Sequence, residues 1–349
     1  MDIKRESIFV SAIRAFSNAF AGMFGIIIGL IILGVVIGTL MKPQLGGEKT
    51  TVVVSTDAEG NRDLLPGSSP VILRLNIHGF IGSRFLNSTT IENQLLDSRT
   101  GTMKGDRVKA ILLHINSPGG TVTDSYGIYA KLMEYKEMYK VPVYAYVDGM
   151  CASGGMMIAS SADKIFSGPV GAIGSIGVIL GPNFNFAELM EKYGVKQLTI
   201  TKGKNKDMLN PYREWKPGED QSIRNLTDYN YNLFVDLVTK ARPHLNRDKL
   251  QNEYGANIYD PIKATELGYI DDGNSSYRLA LKDLTEHVGF TEDEKYQVFE
   301  LKVQHPVLSE LLEGTSSVFS GKIKHELQLG PELPPELMNC PLYLYSPAH

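Results

Sequence analysis

The stretch Val147-Asp-Gly-Met-Cys-Ala-Ser-Gly-Gly-Met156 decides how this chain is read, because it places a serine at the start of a helix, just after a buried strand. The preceding run, Pro142-Val-Tyr-Ala-Tyr-Val147, is rich in β-branched and aromatic residues, Asp148-Gly149 is a turn signal, and Met156-Met-Ile-Ala-Ser160 opens a helical pattern. A turn of this kind exposes one side chain and leaves nearby backbone N–H groups free. Gly154 and Gly155 carry no side chain, so a carbonyl can approach the Gly154 N–H and build negative charge on its oxygen there. Ser153 is therefore either a nucleophile facing an oxyanion hole or the N-cap of an ordinary helix.

Outward from this turn, strand-like and helical patterns alternate. Residues 71–77, 109–115, 141–147, 176–180 and 197–201 read as strands, and about 121–139, 153–162, 185–193 and 218–241 as helices. This alternation predicts an α/β domain with parallel strands and helices packed outside them. It does not specify strand order.

A serine nucleophile needs a base. The seven histidines are His78, His114, His244, His287, His305, His325 and His349, so none lies between Ile115 and Pro243. His114 sits inside the apolar run Ala110-Ile-Leu-Leu-His-Ile115, where a core or sheet-edge role is expected, and His78 reads the same way. The segment Thr201-Lys-Gly-Lys-Asn-Lys-Asp-Met208 offers Lys202, Lys204 and Lys206. A lysine acts as a base near neutral pH only when burial or nearby cations lower its pKa from about 10.4 to roughly 7–8, and a solvated basic loop is the alternative. Cys151, two residues from Ser153, reads as a buried small hydrophobe, since the helix start and the glycines belong to Ser153. With Cys340 as its one possible partner, it suggests no disulfide framework.

Taken together, these residues resemble the signal peptide peptidase A (protease IV) family of membrane-bound bacterial serine proteases with a Ser-Lys dyad. Asn116-Ser-Pro-Gly-Gly120 is similar to that family's NSPGG motif and Ala152-Ser-Gly-Gly155 to its nucleophile motif. Ala162-Asp-Lys-Ile165 and Gly174-Ser-Ile-Gly-Val178 resemble its ADKI and GSIGV segments, and Lys206-Asp207 falls where its base lysine is expected. The resemblance implies that Ser153 is the nucleophile and Lys206 the general base. Gly154 and Gly120 would supply the oxyanion hole, and Ser175 would support the lysine. Cys151, Met156 and Met157 depart from the usual small or aromatic residues, which bears on pocket shape. The implied fold is the spiral of ββα units shared by Clp proteases and crotonases. The resemblance further implies the short form, one catalytic half per chain, with the two dyad members of each site coming from neighbouring protomers of a homo-oligomer.

From Ala15 through Met41 no residue is charged, longer than the roughly 20 apolar residues a membrane-spanning helix needs. We expect a cytoplasmic tail over 1–19, a transmembrane anchor over 20–41, a tether over 42–70, a protease domain over 71–289 and a C-terminal extension over 290–349. Lys4, Arg5 and Arg14 before the span, against Lys42 and Lys49 after it, favour a cytoplasmic N-terminus and an extracytoplasmic catalytic domain in the bacterial inner membrane. Gly25 with Gly29 and Gly34 with Gly38 form small-xxx-small pairs suited to helix association.

Composition narrows the partners. With 35 basic and 39 acidic residues the net charge is -4, and no basic stripe with interleaved aromatics suggests nucleic acid. No zinc spacing, P-loop or dinucleotide fingerprint is present, so neither metal nor cofactor is expected. Expected partners are hydrophobic peptide substrates, membrane lipid and further copies of the chain. Two competing functions are an acyl-CoA enzyme on the crotonase fold, which would use carboxylates, and a catalytically silent membrane scaffold.

Overall fold

The computed structural model describes residues 8–40, 50–291, 294–303 and 342–344, in two units, Met1–Lys49 and Thr50–His349. The first is helix α1 (Ile8–Leu40), of which Ile13–Leu33 is long and apolar enough to cross a membrane. Phe16, Ile26 and Leu30 are all exposed, a surface that water disfavours and lipid tolerates, so the helix is compatible with a membrane anchor. It begins before the expected span of 20–41, because Ile13 and Phe16 extend the apolar surface and leave Arg14 as the single charge in it.

The second unit is built on strand β1 (Thr50–Ser55), strand β2 (Val71–His78), helix α2 (Ser88–Asp97) and strand β3 (Val108–Ser117). After them come the short strand β4 (Gly119–Thr121), helix α3 (Val122–Tyr139), strand β5 (Val143–Ala152) and helix α4 (Gly154–Ala159). Strands β6 (Lys164–Ser167) and β7 (Ala172–Gly174) precede helices α5 (Ala187–Lys192), α6 (Gln221–Ala241) and α7 (Arg247–Lys249). Strand β8 (Ile258–Tyr259), helices α8 (Pro261–Leu267) and α9 (Tyr277–His287), and strands β9 (Gln297–Val303) and β10 (Leu342–Leu344) complete it.

The main sheet has the order β1-β9-β2-β3-β5-β7-β8, with β6 also paired to β5. Strands β2, β3, β5, β6 and β7 run parallel, as the βα alternation predicts. The central strands bury both faces, as parallel strands covered by helices must. Leu73, Leu75, Ile77, Leu113, Ile115, Ala145 and Val147 join the core with α3 and α4, while Ile72, Leu112, Tyr144 and Tyr146 join a second cluster under α9. Each fully buried Leu or Ile contributes about 1.5–3 kcal/mol.

The sheet also draws on residues outside 71–289. The Thr-Val-Val-Val run of β1 and the mostly alternating pattern of β9 are strand signals, and the two strands pair antiparallel from Thr50 with Val303 to Ser55 with Val298. Residues 42–49 and the proline-rich 329–336 lie outside the described residues.

Two expected strands did not form. Backbone pairing after β5 is made by 172–174, not 176–180, because Ser175 turns the chain at φ 54°. Residues 197–201 carry no strand: Leu198 and Ile200 are 85% and 87% exposed, and among the described residues no strand pairs with them to complete a ladder. The turn expected at Asp148-Gly149 proved to be a kink inside β5, which pairs with β6 before it and β7 after it. Gly149 is required there, since at φ 114° a Cβ would lie 2.7 Å from Asn116 Oδ1.

Candidate active site

Strand β5 ends by passing its chain into α4 through Ser153, whose φ of 52° and ψ of -116° lie in a region that non-glycine residues rarely occupy. Such a conformation costs about 1–3 kcal/mol and persists only when its surroundings hold it. Here the Ser153 N–H donates to the Gly174 carbonyl at 2.9 Å, and the Ser153 carbonyl accepts from the Met157 N–H at 3.1 Å. The side chain makes no helix cap. Ser153 is 1% exposed, and its Oγ has no hydrogen-bond partner among the described residues. The N-cap alternative therefore has no hydrogen bond to rest on.

The glycines after it are set by contact. A Cβ on Gly154 would lie 2.3 Å from Ser125 Oγ and 3.3 Å from the Gly120 nitrogen, and one on Gly155 would lie 3.1 Å from the Ser117 carbonyl oxygen. Gly120 and Gly154, far apart in sequence, are thus neighbours beside Ser153. Gly120 is itself wedged: a Cβ there would meet the Ile81 carbonyl oxygen at 1.8 Å. Its position follows from both flanks of β4. On one side Ser117 Oγ accepts from the Gly119 N–H at 3.1 Å; on the other, Thr121 caps α3 by accepting from the Asp124 N–H at 3.1 Å. Asp124 then takes both the N–H and the hydroxyl of Ser88, tying α2 to α3.

Ser175 follows Gly174, the residue that accepts from Ser153, and is itself held in a positive-φ turn by donating its N–H to Asn257 at 2.8 Å. The structure therefore gathers Ser153, Gly154, Gly120 and Ser175. Lys206 is elsewhere in its environment: it is exposed, as are Lys202 and Lys204, and it makes no hydrogen bond to Ser153. Its loop was not legible in the basic run itself. Arg213 donates to Asp207 through Nε at 2.8 Å, to the Asp207 carbonyl at 2.7 Å and to Glu219 at 2.7 Å. These bonds hold the carboxyls of Asp207 and Glu219 below the usual carboxylate range. Lys206 lines a groove of about 930 Å³ whose apolar wall includes Phe184, Phe186 and Ile200.

The other titratable candidates are placed away from this chemistry. His114 and His78 bond each other at 2.7 Å between ring nitrogens, and His114 packs on Tyr146 and Tyr277. Burial, then the charge of Arg74, pushes His114 down to about 3. Cys151 is fully buried against the Met156 sulfur at 3.7 Å, and burial pushes its thiol far up, so it carries little thiolate. Met156 and Met157 are also fully buried, so both departures from the usual motif are core filling. No group of histidine, cysteine or carboxylate side chains suited to a metal occurs among the described residues.

A family model of peptidase family S49 matches residues 139–291, the span that carries Ser153, Ser175 and Lys206. Over that span the chain is similar to peptidase family S49. A Clp protease model matches residues 89–169 of this chain, and its core is the corresponding Clp-like α/β fold. A putative signal peptide peptidase SppA of Enterococcus faecium is 31% identical over 209 residues, covering 58% of this chain and 60% of that protein. A putative protease of Synechocystis is 38% identical over 170 residues, 49% of this chain and 60% of its own length. A probable protease SohB of Haemophilus influenzae is 29% identical over 208 residues, covering 59% and 57% respectively. The chain thus spans about 60% of the length of the first two relatives.

Proposed function

We propose that this chain is a membrane-anchored serine endopeptidase that cleaves hydrophobic peptides, remnant signal peptides among them, with a Ser153–Lys206 dyad assembled between two copies. The observation that carries the reading is the strained turn at Ser153, whose buried hydroxyl has no partner among the described residues and lies next to the Gly120 and Gly154 backbone. Strain of this kind is retained where a nucleophile must be presented.

In this reading neutral Lys206 removes the Ser153 proton as Oγ attacks a peptide carbonyl. The N–H groups of Gly120 and Gly154 stabilise the oxyanion, and Ser175 orients the lysine. The leaving amine takes the proton, and water then hydrolyses the acyl-enzyme. Buried Ser153 and exposed Lys206 meet when a neighbouring copy docks. That docking would also desolvate the lysine, which lowers its pKa toward the range a base requires. The apolar residues exposed between Ile179 and Trp215, such as Phe184, Leu198 and Ile200, suit a subunit interface. The N-terminal helix would hold the homo-oligomer at the bacterial inner membrane with its catalytic domains on the extracytoplasmic side, near substrates that partition into lipid.

The direct test follows hydrolysis of a fluorogenic hydrophobic peptide by the detergent-solubilised protein. Ser153→Ala and Lys206→Ala should each abolish it while leaving the oligomer intact. Normal hydrolysis by Lys206→Ala would remove the lysine from the mechanism.

A further inference from the structure

A second buried serine lies between the two segments that carry Gly120 and Gly154. Ser125 stands in the first turn of α3 and is wholly buried. Its hydroxyl donates to the Thr121 carbonyl at 2.7 Å, one turn back, on the residue that follows Gly120. A serine that bonds back in this way slightly weakens its own helix, so helix stability does not account for it. The same oxygen is pressed against Gly154. A Cβ on Gly154 would stand 2.3 Å from Ser125 Oγ, 3.2 Å from Ser125 Cβ and 3.3 Å from the Gly120 nitrogen.

The requirement for glycine at 154 therefore comes from Ser125. Gly154 opens α4 and, unlike Gly119, Gly149 and Gly174, does not have a positive φ, so its backbone would accept alanine, a better helix former. The Ser125 β-carbon and the Gly120 nitrogen stand at distances that a small shift relieves. The Ser125 oxygen does not: at 2.3 Å it is closer than heavy atoms approach unless one of them moves. One hydroxyl thus bonds to the residue after Gly120 on one side and sets how near Gly154 can come on the other.

We infer that Ser125 is a positioning residue for the oxyanion hole: its hydroxyl, bonded to the Thr121 carbonyl and packed on Gly154, sets the separation of the Gly120 and Gly154 N–H groups. This rests on the reading of those two groups as the donors that face the intermediate formed on Ser153. Such donors act only when held about 2.7–3.1 Å from the place where charge develops, so a spacer between them acts on the chemical step. Ser125 itself touches no substrate and carries no proton. Its loss is expected in kcat and not in KM, because the ground-state carbonyl depends far less on both donors at once.

A double-mutant cycle on the full chain, read by steady-state hydrolysis of the fluorogenic peptide, tests this. Ser125→Ala keeps the β-carbon and should lower kcat about tenfold with KM within about twofold of wild type. Ser125→Cys puts a larger atom at the same point and should lower kcat as well. Gly154→Ala drives its methyl into the Ser125 oxygen and should cost about 100-fold or more in kcat. With that oxygen gone, Ser125→Ala/Gly154→Ala should be at least about tenfold faster than Gly154→Ala alone, a rescue that independent structural losses do not produce. Ser125→Ala or Ser125→Cys with wild-type kcat, a loss carried by KM, or a double variant no faster than Gly154→Ala overturns the inference and leaves the peptidase reading standing. Wild-type hydrolysis by Ser153→Ala removes both.

Discussion

Ser153 and Lys206 do not touch within one chain: the hydroxyl of the first is buried without a partner among the described residues, and the second is exposed. Everything else around Ser153 is already in place. Gly120, Gly154 and Gly174 are fixed by contacts that tolerate no side chain, and the nucleophile turn is held by backbone bonds at both ends. In the proposed reading, what this arrangement lacks is a base.

The wedge at Gly120 gives the sharpest mutational expectation. Gly120→Ala puts a methyl where the Ile81 carbonyl oxygen stands, so β4 must shift and its N–H leaves the site. Loss of one oxyanion donor should lower kcat by about 100-fold or more. KM should change much less, and steady-state kinetics with the fluorogenic peptide separates the two. A fall in KM-dependent binding alone, with kcat intact, would contradict an oxyanion role.

Arg213 should behave as a positioning residue for Lys206. Arg213→Ala releases Asp207 and Glu219, and we expect at least about a tenfold loss of kcat/KM as the neighbouring lysine loses its placement. The pH dependence follows from the same contacts. Both carboxyls are held low by Arg213, so the loop's stabilisation is present above the ordinary carboxylate values of 3.8 and 4.5 and is lost as pH falls below them. Hydrogen exchange over residues 207–219 should be protected at neutral pH and open in acid, and already open at neutral pH in Arg213→Ala. Equal protection in the variant would remove Arg213 from this role.

Acid stability should be limited by His114. Its imidazole is pushed from 6.5 to about 3 by burial and by Arg74. Between those values the unfolded chain binds a proton that the folded chain refuses. Stability therefore falls as pH drops below 6.5 and keeps falling toward 3, by at most about 1.4 kcal/mol per pH unit from this group. Denaturant unfolding across this range should show the slope, and His114→Asn should flatten it without abolishing peptidase activity. An unchanged slope, or loss of activity in a folded variant, would contradict this placement.

Cys151 should be a spectator. Burial raises its thiol, so native protein should resist alkylation, and Cys151→Ala should keep its activity within about threefold. Rapid labelling of the native protein with accompanying loss of activity would overturn this.

Much of the fold was legible where local pattern and tertiary fate agree. The runs around β2, β3 and β5 are largely apolar, and the helices α3 and α6 fall where their periodicity puts them. The placement of Ser153 between a strand and a helix was readable from its flanking strand and glycines. What escaped is non-local. Residues 197–201 have strand composition but no pairing strand among the described residues, and β1 and β9 become visible only as a pair, since neither flanks the other in sequence. Arg213 drew no attention because its importance lies in joining Asp207 to Glu219, a relation that spacing alone does not announce.

The central claim, a dyad completed between copies, is tested most directly by mixing inactive variants. Ser153→Ala and Lys206→Ala, each purified, dissociated and reassembled together in equal amounts, leave some interfaces with an intact serine from one copy and an intact lysine from the next. If each site is shared by two copies arranged head to tail, random mixing should restore about a quarter of wild-type peptide hydrolysis. Mixed oligomers that form and remain as inactive as either variant alone would place both residues of each site in the same chain.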